Sequence, residues 1–227
     1  RDKKKLMGLI IGIILFAALI VGATFAWLTY AINVTNGNYN VETSCFDVNY
    51  ENGADISGTL NMVANPLNGR STTISIGSNE GCNVTAKGKI ELVINSISSK
   101  LYETTTAHCE NALTLETLLN YPNQTTCETS SGETVTNPTR LWTTESALKY
   151  AIYEKNFSGE PIKVGRINQS TGTIILLDDF QLNVGSSTKY YISIWLDGNI
   201  ADSQYVNQSF SGYIKASAIP VSYTHLT

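Results

Sequence analysis

The residues of this chain that could do chemistry are few, and their spacing limits what that chemistry can be. Four cysteines, Cys45, Cys82, Cys109 and Cys127, form the first group. No two of them make a CxxC pair, and His108 is the only histidine near them, so the spacing does not suit a zinc site. An even cysteine count outside the cytoplasm reads as two disulfides, with three pairings open. Cys45–Cys82 within the scaffold and Cys109–Cys127 within an insert are the expected pairs. The second closes a loop of about 18 residues and contributes roughly 3 kcal/mol on the chain-entropy account.

Catalytic patterns are missing from the sequence: there is no HExxH, GxSxG, P-loop or GxGxxG. His108 lies in a polar insert beside a cysteine and reads as a surface histidine. Asp178 and Asp179 are adjacent on a strand and so point to opposite faces, which rules them out as the facing carboxylates of a glycosidase. Asp47, Asn49, Glu51 and Asp55 surround Gly53, but the glycine falls one position late for a calcium loop. That run and Asp197, Asn199 and Asp202 are better read as hairpin turns, which favour Asn, Asp and Gly. No catalytic residue, metal ligand or cofactor is expected, and the chain is not read as an enzyme. One binding feature stands out. In KYYISIWLDG, Ile192, Ile194 and Leu196 take the core face, and Tyr191 and Trp195 project from the other side. They lie about 13 Å apart along a strand, a spacing that could stack on a polysaccharide. The alternative is that the insert or a neighbouring chain covers them.

The elements that must position these residues alternate with period two. NVETSCFDVNY, ISGTLNMVA, STTISIG, NVTAKGKIELVINSI, ALKYAIYEK, GTIILLDDFQLNVG, STKYYISIWLDG and VNQSFSGYIKASAI predict strands separated by Asn, Gly and Pro turns. Within GTIILLDDFQLNVG, Ile174, Leu176, Phe180, Leu182 and Val184 share a face that Asp178 interrupts, so a bulge is expected there. Eight or nine strands at this interval predict an all-β fold, a β-sandwich or jelly roll, over residues 41–220. Residues 98–144 form an insert rich in Thr, Asn and Glu, read as a disulfide-pinned lobe. Only ENALTLETLLN within it has helical spacing. Residues 221–227, VSYTHLT, do not continue the sheet pattern. They resemble translated adapter sequence and are expected to be a non-native tail.

Residues 6–30 form an apolar run whose first 23 residues, Leu6 to Leu28, carry no charge. Such a helix is roughly 34 Å long, enough to cross a membrane. Arg1, Lys3, Lys4 and Lys5 precede it and mark residues 1–5 as cytoplasmic by the positive-inside rule. Residues 31–40 read as a linker. Without residues 1–5, the chain holds 11 basic and 18 acidic residues, a net charge of −7. That balance argues against nucleic acid, whose binding needs clustered Lys and Arg. Six N-x-[ST] sequons occur, a number that the richness in Asn, Ser and Thr accounts for.

GATFAWLTY, closing a lysine-led apolar run ahead of an all-β body, resembles the camelysin/TasA-like exported surface proteins of Gram-positive bacteria. ATFAWLT, CFDVNYENGADISGTL, GCNV, LKYAIYE, YISIWLDG and SFSGYIKASA together resemble, more closely, a group of predicted-exported proteins of gut Firmicutes. That resemblance covers most of the chain outside the insert and brings no known activity. The first resemblance implies a leader cut after Ala26, leaving Trp27 as the new terminus. The acidic residue usual just after the aromatic is absent, replaced by Leu28, Thr29 and Tyr30. The length of the run, with Trp27 and Tyr30 at its outer end, favours a retained anchor instead.

Together these readings predict a non-catalytic cell-surface or extracellular-matrix structural protein, tethered to the membrane or secreted. It would work by self-assembly or by presenting its surface. The alternative is an adhesin that binds glycan or protein through Tyr191, Trp195 or the insert.

Overall fold

A computed structural model describes residues 41–42, 45–79, 85–128, 139–157 and 159–220. The expected cytoplasmic segment, membrane or signal helix, linker, Ala26–Trp27 cleavage point and tail all lie outside the described residues. Among the described residues no helix is long and apolar enough to cross a membrane.

The fold is all-β. In chain order the strands are β1 (Val41–Glu42), β2 (Phe46–Tyr50), β3 (Gly58–Thr59), β4 (Met62–Val63) and β5 (Arg70–Ser78). They continue as β6 (Ala86–Ile97), β7 (His108–Asn111), β8 (Arg140–Thr143), β9 (Leu148–Glu154), β10 (Lys163–Arg166), β11 (Gly172–Leu182), β12 (Ser187–Asp197) and β13 (Ser209–Pro220). A seven-stranded sheet has the order β1-β2-β5-β12-β9-β10, with β4 beside β12. A four-stranded sheet has the order β11-β6-β13-β3, and β7 pairs with β8 alone. All pairings are antiparallel except β4 with β12.

Alternation explains which side chains go inside. Ile90, Leu92 and Ile94 of β6, Ile214 and Ala216 of β13, and Leu176 and Leu182 of β11 are buried. They join Ile74 and Ile76 of β5 and Ile192, Ile194 and Leu196 of β12 in one core fed by both large sheets. Fully burying each of these Ile and Leu side chains stabilises by about 1.5–3 kcal/mol. Gly88 and Gly165 are required by close approach: the Phe180 ring lies where a Gly88 side chain would begin, and the Tyr150 ring does the same at Gly165.

The interruption at Asp178 is a bulge. Pairing of β11 with β6 shifts register between Ile175 and Leu177 and again between Leu177 and Phe180. The two shifts together restore parity, so Phe180 and Leu182 face the core as Leu176 does. Asp179 takes φ 59° at this point, a left-handed conformation that aspartate tolerates better than most residues. Val184, expected on the same face, lies beyond the strand and is exposed.

Between β6 and β9 the chain forms a lobe containing β7, β8 and two short helices, α1 (Ser99–Tyr102) and α2 (Gln124–Glu128). The helical spacing of ENALTLETLLN is not realised. Glu110 and Asn111 end β7, and the Asn111 side chain accepts hydrogen bonds from the Leu113 and Thr114 amides at 2.9 and 3.1 Å. That local capture, with Leu115 at φ 54°, turns the chain back so that Thr117 bridges Glu110. An asparagine bonding its own downstream amides competes with a helix, and here it wins.

Candidate functional site at the lobe–sheet junction

Three strands of the large sheet deliver charge to one end of its outer face. Antiparallel register sets Arg166 of β10 directly opposite Lys149 of β9, and Lys149 opposite Trp195 of β12. Asp197 follows two residues after Trp195 and so points the same way. The lobe supplies the rest. Because side chains alternate along β7, His108 and Glu110 share one face and Cys109 takes the other. Cys109 bonds Cys127 of α2, with Cα atoms 5.6 Å apart, which ties the far side of β7 down. Glu110 and His108 are thereby presented to the sheet.

The groups converge on Lys149, whose side chain is wholly buried. Its Nζ lies 2.7 Å from Glu110 Oε1 and 2.7 Å from Asp197 Oδ2, and donates to the Leu115 carbonyl at 2.6 Å. All three ammonium protons therefore have acceptors. Arg166 grips both Glu110 oxygens, and its Nη1 also reaches the Ser146 carbonyl at 3.2 Å. His108 Nε2 lies 3.0 Å from Glu110 Oε1, and Nδ1 lies 2.8 Å from the Thr106 carbonyl, so both ring nitrogens face oxygen acceptors. Asp197 is held at both oxygens: Thr117 Oγ1 donates to Oδ2 at 2.7 Å, and the Asn199 amide donates to Oδ1 at 3.0 Å.

Burial alone would push the Glu110 carboxyl upward. The hydrogen bond from His108, the charge of Lys149 and the bonds from Arg166 and Lys149 outweigh it and hold the group down at about 2. Glu110 is 1% exposed and Asp197 3%. Removing one partner of a buried ion pair leaves the other charge uncompensated and costs about 3–5 kcal/mol. The cluster therefore locks the lobe to the sheet, with Lys149, Glu110 and Asp197 buried.

Cys109–Cys127 is formed as expected. The Cys45–Cys82 pair involves Cys82, which lies outside the described residues. His108 is not a surface histidine: it is 9% exposed because β7 folds it under the lobe against Glu110. Asp197 and Asn199 do make the expected turn, but Asp197 is also a member of the buried cluster. Asp202 caps the short 3-10 turn at Ser203–Tyr205. Glu51 pairs with Lys189, and Asp55 accepts from the Ser57 amide at 2.8 Å. Among the described residues no group of three His, Cys, Asp or Glu is placed to hold a metal ion.

Tyr191 and Trp195 do not form an open stacking surface. Trp195 is 5% exposed, in a cluster with Ala151 and Tyr153 against which Val63 and Val164 pack. Ser193 between them donates to the Pro66 carbonyl at 2.5 Å, which fixes the turn Pro66–Asn68 over this part of the sheet. Tyr191 is half-buried, its ring 4.8 Å from that of Phe157.

No sequence motif marks Lys149, Glu110 or Arg166. One signal was available. The outward positions of ALKYAIYEK are Lys149, Ala151 and Tyr153, too apolar for a solvated face. A lysine in such a row must be covered and must have a partner. No protein-family model, curated protein or solved structure matches the chain.

Proposed function

We propose that this chain is an exported, non-catalytic structural protein of a Gram-positive cell surface or extracellular matrix, related to the camelysin/TasA-like proteins. In this reading the two large sheets stack as a sandwich, displayed outside the membrane behind an N-terminal helix that is either retained or cut after Ala26. The observation that carries it is the closed Lys149–Glu110–Asp197–Arg166 cluster. The densest polar chemistry of the described residues is used to fasten a lobe to a sheet, which supports a structural role. The core shared by both large sheets supports the sandwich, and the Cys109–Cys127 bond supports an oxidising location. The burial of Trp195 weighs against a glycan-stacking role for that residue.

The test is to express the full chain in a Gram-positive host and take intact masses from medium, membrane and cytoplasm. A species in the medium beginning at Trp27, or an intact chain in the membrane with its lobe accessible from outside, supports the reading. A reduced, intact chain confined to the cytoplasm refutes it.

A further inference from the structure

The buried cluster does more than pair charges. It sets a primary amine against a carboxyl group on the next strand, with a second carboxylate on the same amine. Lys149 Nζ is 2.7 Å from Asp197 Oδ2, so it stands in contact with the Asp197 carboxyl carbon. Glu110 Oε1 is 2.7 Å from the same nitrogen, in position to take and return its protons. Lys149, Glu110 and Asp197 are each at most 3% exposed. We propose that Lys149 and Asp197 condense without any added catalyst into an intramolecular isopeptide bond, with Glu110 as the proton shuttle.

The two oxygens of Asp197 have different surroundings, and the difference assigns their fates. Oδ1 accepts the Asn199 amide at 3.0 Å, a donor already in place for negative charge developing on that oxygen. Oδ2 lies between Lys149 Nζ and the Thr117 hydroxyl, each at 2.7 Å, the two sources of protons for a leaving oxygen. Glu110 first carries a proton from the Lys149 ammonium to Asp197 Oδ2, giving an amine and a carboxylic acid. The nitrogen lone pair then forms the N–C bond to Cγ, and the C=O to Oδ1 opens to an oxyanion. Glu110 passes a second proton from nitrogen to Oδ2, the C–Oδ2 bond breaks, and water leaves as the Oδ1 carbonyl re-forms. One ammonium and one carboxylate become one amide and one water, with no oxidant, reductant or co-reactant.

The surroundings suit the product. The amide N–H keeps the Leu115 carbonyl as its acceptor, and the new carbonyl keeps the Asn199 amide. Condensation removes one buried cation and one buried anion, both costly to desolvate. Glu110 is left with Arg166 and His108, so no remaining charge is without a counter-group. Fixed neighbouring positions on paired strands replace an encounter in solution, which is worth several orders of magnitude in rate. The inference is independent of whether the protein serves in a matrix.

The test uses the full chain, reduced, denatured and digested with trypsin. Trypsin cannot cut after an acylated Lys149, so the bond yields a branched peptide of 141–155 joined to 190–215, lighter than the two together by one water. Recovery of that species is the expected result, and Lys149→Arg abolishes it. Recovery of 141–149 and 190–215 only as separate, full-mass peptides overturns the proposal. This readout needs no variant to fold. Glu110→Gln is expected to slow or abolish the link. If the Gln variant retains the Cys109–Cys127 bond and still links as fast as the parent, the shuttle role of Glu110 is wrong.

Discussion

Replacing Glu110 with Gln keeps the side chain's size and removes its charge, so it isolates what the carboxylate contributes. Glu110 is held from an ordinary 4.5 down to about 2. At neutral pH that difference is worth about 3 kcal/mol of folding stability. The sign follows from the direction. A depressed carboxyl stabilises above its unfolded value, and the contribution is lost as pH falls from about 4.5 to about 2. Breaking a buried ion pair by removing one partner gives a similar figure, about 3–5 kcal/mol. Urea unfolding followed by tryptophan fluorescence is the assay, since Trp195 lies in register with Lys149 and Trp142 with Cys109. Glu110→Gln should lower the free energy of unfolding by about 3 kcal/mol near pH 7, with the two proteins converging as pH falls towards about 2. Both proteins carry Lys149→Arg, which keeps a cation beside Glu110 and cannot form the link to Asp197, so the convergence reports the carboxylate alone. A difference below about 0.5 kcal/mol at neutral pH, or one that does not shrink with acid, would refute the placement of Glu110 under the lobe.

Other perturbations probe separate parts of the fold. Cys109→Ser should cost roughly 3 kcal/mol and speed hydrogen exchange in β7 and β8 before the large sheets, which exchange mass spectrometry would resolve. Gly165→Val places a side chain where the Tyr150 ring lies, and should lower stability by about 1–3 kcal/mol in a denaturant titration. Trp195→Ala should cost about 3–5 kcal/mol, whereas Tyr191→Ala, which chiefly loses a tilted ring contact with Phe157, should cost about 1 kcal/mol in the same assay.

Local pattern made much of the scaffold legible, and distance in sequence hid the site. The alternation of β6, β12 and β13 and the aspartate that bends β11 are written in consecutive residues. β10 carries no sequence signal, because KVGR is short and all four residues are half-buried, so no face stands out. β7 and β8 exist through pairing with each other and the Cys109–Cys127 bond, in a segment whose leucine spacing points to a helix. The cluster joins partners far apart in the chain: Glu110 and Arg166 are 56 residues apart, and Thr117 and Asp197 are 80. No periodicity reports such contacts. What the sequence did carry was the conflict of a lysine within an apolar outward row.

The proposed role as a structural subunit makes self-association the property to measure. Sedimentation of the purified protein over a wide concentration range, with electron microscopy of the same samples, tests it directly. A structural subunit forms high-mass species or filaments that grow with its own concentration and need no ligand. A protein that stays monomeric throughout, and associates only when a glycan or protein ligand is added, would contradict the account and make it an adhesin.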